Sequence, residues 1–250
     1  MPRPALIALD LDGVLVDGME EYWRSSLHVA QGFGAPWPAL ETQVPPDFCR
    51  IRPWVHRGWE MVVVAWALAH GATASLFLKD YRAALQHWQG DLGQSSAQLQ
   101  LALEQCRQHQ LHHEPLPWLA QHRFYPGVVE RLQDWSREGV AWTVITTKGR
   151  DFAAALLDHQ HLEPTAIHGR ESGAKSKVLE HLQKEQQPVW FVEDRLPTLE
   201  TVIGEPQLGN VGCYLAAWGY LRPNDQEQLG PPIHWLERHT FCAPFSTWPA

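Results

Sequence analysis

An apolar run from Ala5 to Leu9 stops at Asp10, and Leu11, Asp12 and Gly13 follow before apolar residues resume at Val14 to Val16. Apolar residues cut short by turn chemistry read as a buried strand. In open α/β sheets, ligands sit beyond the carboxyl ends of such strands. Residues i and i+2 of an extended chain point the same way, so Asp10 and Asp12 address one ligand, and Gly13 frees the chain to turn sharply away. Two carboxylates converging on one point repel unless a cation lies between them or one keeps its proton. By itself the segment also fits a strand followed by a solvated Asp-Leu-Asp-Gly turn. It does not fit a calcium loop, which wants Asp or Asn at the fifth position and Gly at the sixth, where Val14 and Leu15 stand.

With 250 residues, the chain has enough length to bury one substantial core plus an insert. Net charge is -8, and the 20 Lys and Arg residues are scattered. That gives no electrostatic footprint for nucleic acid. Cys49, Cys106, Cys213 and Cys242 lie far apart with no zinc-ligand spacing, which suits reduced thiols. No signal segment or membrane-length apolar run stands out, so a cytoplasmic protein with no membrane partner is expected. Of the thirteen Trp, the sequence leaves open whether Trp88, Trp118 and Trp248 belong to the surface, an interface or the core.

Downstream of Val16 the periodicity turns helical. Helices are expected over Met19–Ala30, Trp54–Ala69, Ser75–Trp88 and Ser95–Gln110, with a breaker-rich loop from Gly32 to Pro46 and no strand between Met19 and His122. His109, His112 and His113 lack a ligand pattern such as HExxH and read as surface residues. From Phe124 onward strands and helices alternate. Strands are placed at Val140–Thr146, Thr165–His168, Pro188–Val192, Val211–Ala216 and Pro232–Leu236, with helices over Pro126–Arg137, Arg150–His159, Ala174–Glu185 and Leu196–Ile203. That rhythm implies a mainly parallel sheet covered on both faces. Residues 1–17 and 124–250 then form an α/β core, and 18–123 a helical insert.

The DLDGV sequence at Asp10 to Val14 resembles the first motif of the haloacid dehalogenase-like hydrolase superfamily, most of whose members are magnesium-dependent phosphatases. The resemblance extends to three later strand or helix ends. VITTK, Val144 to Lys148, resembles the second motif; ESGAK, Glu171 to Lys175, the third; and WFVED, Trp190 to Asp194, the fourth. It implies a three-layer Rossmann-like core with an inserted all-helical cap, FYPGV at Phe124 to Val128 marking the return to the core. By the same resemblance Asp10 is the nucleophile and Asp12 the general acid/base. Thr146 and Thr147 bind phosphate together with Lys175, which is preferred over Lys177 because it opens its helix. Mg²⁺ is held by Asp10, Asp194 and the backbone carbonyl of Asp12, an all-oxygen set that suits this ion. Thr198 stands where a further Asp is common, so Glu193 is expected to serve the metal directly or through water.

The resemblance implies hydrolysis of a small phosphorylated metabolite. The rivals are a phosphomutase, a phosphonate hydrolase using Lys79, and a binding protein on a degenerate hydrolase fold. A dehalogenase is disfavoured by Asp12 and the acidic fourth motif. Substrate contacts are expected at the approach to the most apolar helix, Arg50 to Glu60, through Arg52, Arg57 and Glu60. Arginines near a helix N-terminus oppose its dipole, a cost that an anionic substrate would relieve.

Overall fold

The computed structural model describes residues 4–36 and 43–249. Residues 37–42 of the expected breaker-rich loop, and residues 1–3, lie outside the described part. The chain divides into two compact units, Met1–Asp17 with Arg123–Ala250, and Gly18–His122.

In the first unit β1 (Leu6–Leu9) leads into the Asp10–Gly13 turn and a two-residue strand, β2 (Val16–Asp17). The second unit follows. It comprises α1 (Met19–Gly32), α2 (Pro46–Ile51), a 3-10 turn at Arg52–Trp54, α3 (Gly58–Ala69), α4 (Ala74–Lys79), α5 (Tyr81–Leu92), α6 (Ser96–His113) and α7 (Pro115–Leu119). The chain re-enters the first unit through β3 (Arg123–Phe124), which pairs antiparallel with β2. Then come α8 (Val128–Arg137), β4 (Trp142–Ile145), α9 (Arg150–His159), β5 (Ile167–His168), α10 (Lys175–Glu185), β6 (Val189–Glu193), α11 (Leu196–Gly204), β7 (Gly212–Ala216), α12 (Asp225–Gln228), β8 (Ile233–Leu236) and α13 (Arg238–Phe241).

The sheet runs β5-β4-β1-β6-β7-β8, with every pairing parallel. Alternation along the strands sorts its two faces. Leu6, Ala8, Val189, Phe191, Cys213 and Leu215 pack with Val178, Leu179 and Leu182 of α10 and Leu196, Leu199 and Val202 of α11. On the other face Trp190 and Tyr214 meet an aromatic cluster from α8 and the C-terminal segment, with ring centroids 5.3 Å apart for Trp190–Trp248 and 5.2 Å for Trp135–Phe241. The core is thus a three-layer, Rossmann-like α/β fold. Central β1 has Leu9 paired with Val144 on one side and Val192 on the other. The residues that follow β1, β4 and β6 therefore emerge side by side, at the point where the strand order reverses.

In the helical unit Trp23 and Phe48 pack edge to face, and Glu21 is buried and gripped by Arg107 through Nε (2.6 Å) and Nη2 (2.8 Å). Several expectations need correction here. The Trp54–Ala69 helix starts only at Gly58, because Pro53 and the extended Val55 and Arg57 interrupt it. Pro46, assigned to the loop, opens α2 at a position where its missing N–H costs nothing. The Ser75–Trp88 helix is broken at Asp80, whose extended backbone ends α4 and whose carboxylate accepts from the Ala83 N–H to cap α5. Trp118 and Trp248, whose placement the sequence leaves open, are buried, at 0% and 3% exposure. All four cysteines are free thiols. Among the described residues no helix is long and apolar enough to cross a membrane.

Candidate active site

Just past the end of β1, Asp10 Oδ1 accepts from the Leu11 N–H at 2.8 Å and lies 2.8 Å from Lys175 Nζ. Lys175 is the first residue of α10, and its ammonium also meets Glu193 Oε2 at 2.7 Å. The other Glu193 oxygen accepts from the backbone N–H groups of Asp194 (3.1 Å) and Arg195 (3.2 Å). Asp194 Oδ2 accepts from the Tyr220 N–H at 2.8 Å. These groups are almost wholly withdrawn from solvent, and Glu193 is 0% exposed. Lys177, by contrast, pairs with Glu180 on the helix surface.

Burial first, and then the charge of Glu193, push the Asp10 carboxyl up to about 8, against the pull of Lys175. Burial likewise raises Glu193. Burial tends to strip Lys175 of its proton, yet Asp10 and Glu193 outweigh it and its ammonium is strengthened. Two of the three acids therefore share the Lys175 ammonium, and the cluster of Asp10, Glu193 and Asp194 is rich in negative charge. Oxygens of Asp10, Glu193 and Asp194 lie within 4.8 Å of one another. A buried, all-oxygen, electron-rich set of this kind fits a hard divalent cation such as Mg²⁺.

Asp12 has a partner that motif reading did not assign. Lys148 Nζ lies 3.5 Å from Asp12 Oδ1, and the Lys148 side chain is 1% exposed. Thr146, buried at the end of β4, accepts the Lys148 N–H on Oγ1 at 3.0 Å, whereas Thr147 is exposed. The only hint in the sequence was a lysine two residues past the strand-end hydroxyl. Also missed was the loop after β7. Gly13 takes φ +95°, and a Cβ there would fall 1.9 Å from Asp194 Oδ2; a Cβ on Gly219 would fall 2.6 Å from the Gly13 carbonyl oxygen. Trp218 Nε1 donates to the Val14 carbonyl (3.0 Å) and the Tyr220 hydroxyl to Asp17 (2.6 Å). The 218–220 loop braces the turn that carries Asp10 and Asp12.

The proposed substrate contacts fare differently. Glu60 is buried and accepts from the His56 N–H (2.9 Å) and the Tyr81 hydroxyl (2.7 Å), so its carboxylate is committed to bonds inside the helical unit. Arg52 stacks over the Tyr22 ring, 4.9 Å from its centroid, and Arg57 is exposed at the N-cap of α3. The dipole argument does not hold for Arg50, which sits in the last turn of α2, where a cation is favoured, 3.3 Å from Asp47. His109, His112 and His113 are exposed.

Among known proteins, phosphoglycolate phosphatase 1 of Pseudomonas aeruginosa is 29% identical over 159 residues, 64% of this chain and 47% of that protein. The chain spans about half the length of this curated relative. A solved structure described as a predicted phosphatase from Clostridium acetobutylicum superposes with a TM-score of 0.62 at 16% identity, covering 96% of this chain and 97% of the other. Protein Tyrosine Kinase A of Mycobacterium tuberculosis does so at 0.60 and 20% identity, over 99% and 97%. At such identities both likenesses speak for the fold alone. The sequence model of one family, described as haloacid dehalogenase-like hydrolase, matches residues 4–201, most of the chain and all four strand-end motifs. With that match, this chain belongs to the haloacid dehalogenase-like hydrolases.

Proposed function

We propose that this hydrolase is a Mg²⁺-dependent phosphatase that cleaves a small phosphomonoester through an aspartyl-phosphate on Asp10. The observation that carries the reading is Lys175, held between Asp10 and Glu193 with Asp194 alongside: a nucleophilic carboxylate with a fixed cation and a metal-binding acid at one strand edge. The likeness to phosphoglycolate phosphatase 1 adds support. In the first step an Asp10 oxygen bonds to phosphorus, the ester P–O bond breaks, and the leaving oxygen takes the proton of Asp12. In the second, water attacks the same phosphorus, its proton passes to Asp12, and inorganic phosphate leaves Asp10 free. Thr146 and Lys175 hold the phosphoryl oxygens, with Thr147 at the exposed margin. Asp10, Asp194 and the Asp12 carbonyl, with Glu193 adjoining, would hold Mg²⁺, which would supply positive charge against carboxylate–phosphate repulsion. The helical unit would act as the cap that selects substrates.

The test is a panel of phosphomonoesters that includes 2-phosphoglycolate and 4-nitrophenyl phosphate. Phosphate release that requires Mg²⁺ and stops on chelation is expected; metal-independent release, or none across the panel, removes the reading. A phosphomutase would leave the phosphate esterified.

Glu193→Gln refines the assignment. The amide oxygen can keep the two backbone N–H bonds, but its NH₂ then faces the Lys175 ammonium, donor against donor. A hydrogen bond to a charged group contributes about 1.5–3 kcal/mol, so turnover should fall by roughly 10- to 100-fold. The Mg²⁺ half-saturation should rise less than in Asp194→Asn. Wild-type turnover in Glu193→Gln would place this residue outside the reaction.

A further inference from the structure

We infer that Lys148 is a positioning residue for Asp12, holding the carboxyl group that protonates the leaving oxygen; this rests on the phosphatase reading above. The Lys148 backbone is pinned on both sides. Its N–H donates to Thr146 Oγ1 (3.0 Å), and its carbonyl accepts the Arg170 N–H (3.0 Å). With the main chain fixed at the end of β4, the side chain runs through the interior to bring Nζ 3.5 Å from Asp12 Oδ1. Only 1% of that side chain is exposed, against 14% of its partner. Burying an ammonium is costly without a paired acid. If this position needed only volume, Met or Leu would fill it without that cost, so the charge has work to do.

Lys175 does not duplicate this contact, since its ammonium is spent on Asp10 and Glu193. A cation on Oδ1 restrains rotation of the Asp12 carboxyl and leaves Oδ2 to exchange the proton with substrate. Small displacements of a catalytic group from its line of action are costly in rate. In the step concerned, Asp10 bonds to phosphorus, the ester P–O bond breaks, and the Asp12 proton moves to the leaving oxygen. Acting through Asp12, Lys148 should have an influence that grows with the leaving group's need for a proton.

Two esters of similar size separate the roles: 4-nitrophenolate departs readily without a proton, and phenolate does not. The measurement is kcat/KM for phenyl phosphate and 4-nitrophenyl phosphate at saturating Mg²⁺ and fixed pH, in the wild type, Lys148→Met and Lys148→Arg. General-acid contributions of about 10²- to 10⁴-fold set the scale. In Lys148→Met the loss on phenyl phosphate should exceed the loss on 4-nitrophenyl phosphate by about tenfold or more, and Lys148→Arg should recover part of the difference. Equal losses on the two esters would make Lys148 a structural residue, and no loss on either would overturn the proposal outright. Should Lys148→Met fail to fold, Lys148→Gln is read by the same ratio. A wild-type chain that hydrolyses neither ester refutes the phosphatase reading itself, and this proposal with it.

Discussion

Asp10→Asn is expected to abolish turnover, by roughly 10⁴-fold or more, while the fold survives. The amide cannot serve as the attacking oxyanion, yet it matches the carboxylate in size, and its oxygen can keep the Leu11 N–H bond. A further signature lies in the pH dependence of the metal-free chain. Asp10 is pushed up to about 8, chiefly by burial, so the native state binds this proton more tightly than the unfolded chain does. The stability it contributes is then fully present below the ordinary carboxyl value near 4 and is lost as pH rises through about 8. On the proposed reading Mg²⁺ bound at Asp10 would have to displace that proton, so wild-type metal binding should weaken as pH falls below about 8. Urea unfolding in a chelator from pH 5 to pH 9 should show a steeper decline for the wild type than for Asp10→Asn. Parallel curves would mean that Asp10 is not the buried acid of the site, and retained turnover would remove it as the nucleophile.

Much of the core was legible because its strands are buried on both faces. Leu6–Leu9, Trp142–Ile145 and Val189–Glu193 appear as unbroken apolar runs ending in polar residues, and a parallel sheet demands that pattern. The helix Arg150–His159 falls where the sequence places it, since Gly149 and the Asp158-His159-Gln160 end bracket one apolar face. What escaped had no local signature. The β2–β3 pair is two residues long on each side, too short for any periodicity. The break at Asp80 lies inside a stretch whose apolar spacing continues across it, and the change of helix shows in the extended Asp80 backbone and its capping bond to Ala83. Trp248 is buried by Trp190, Tyr214 and Phe245, partners whose meeting depends on how the C-terminal segment crosses the sheet.

The site divides in the same way. Asp10, Glu193 and Asp194 end strands and are visible as strand-end acids, and Lys175 stands out as a cation at a helix start. That both Glu193 oxygens are taken by donors is a three-dimensional fact. So is the grip of the Tyr220 backbone N–H on Asp194, since every residue type but proline offers such a donor. Lys148 was in view as a residue type but could not be tied to Asp12 without the loop path that joins them.

Gly13→Ala should be nearly as damaging as Asp10→Asn, although glycine has no chemistry to lose. Gly13 stands at φ +95°, a conformation that L side chains rarely adopt, and strain of that kind costs on the order of 1–3 kcal/mol. Space is the harder limit. The added methyl would sit 1.9 Å from Asp194 Oδ2, 2.5 Å from Asp194 Cγ and 3.0 Å from the Tyr220 ring. The ring is packed, and the Tyr220 hydroxyl is held on Asp17, so the carboxylate must yield. Moving it breaks its bond to the Tyr220 N–H and draws Asp194 out of the cluster it forms with Asp10 and Glu193. Calorimetric titration with Mg²⁺ should show binding weakened by about 100-fold or more, the upper end for loss of a group that orients or supplies a metal ligand. Turnover at fixed Mg²⁺ should fall at least as far, with a melting temperature lowered by several degrees. Gly219→Ala, whose Cβ would lie 2.3 Å from Asp194 Cβ, should reproduce the metal defect from the opposite side without placing a side chain at positive φ. If Gly13→Ala melts early but binds Mg²⁺ like the wild type, the close approach of Gly13 to Asp194 serves the fold and not the metal site.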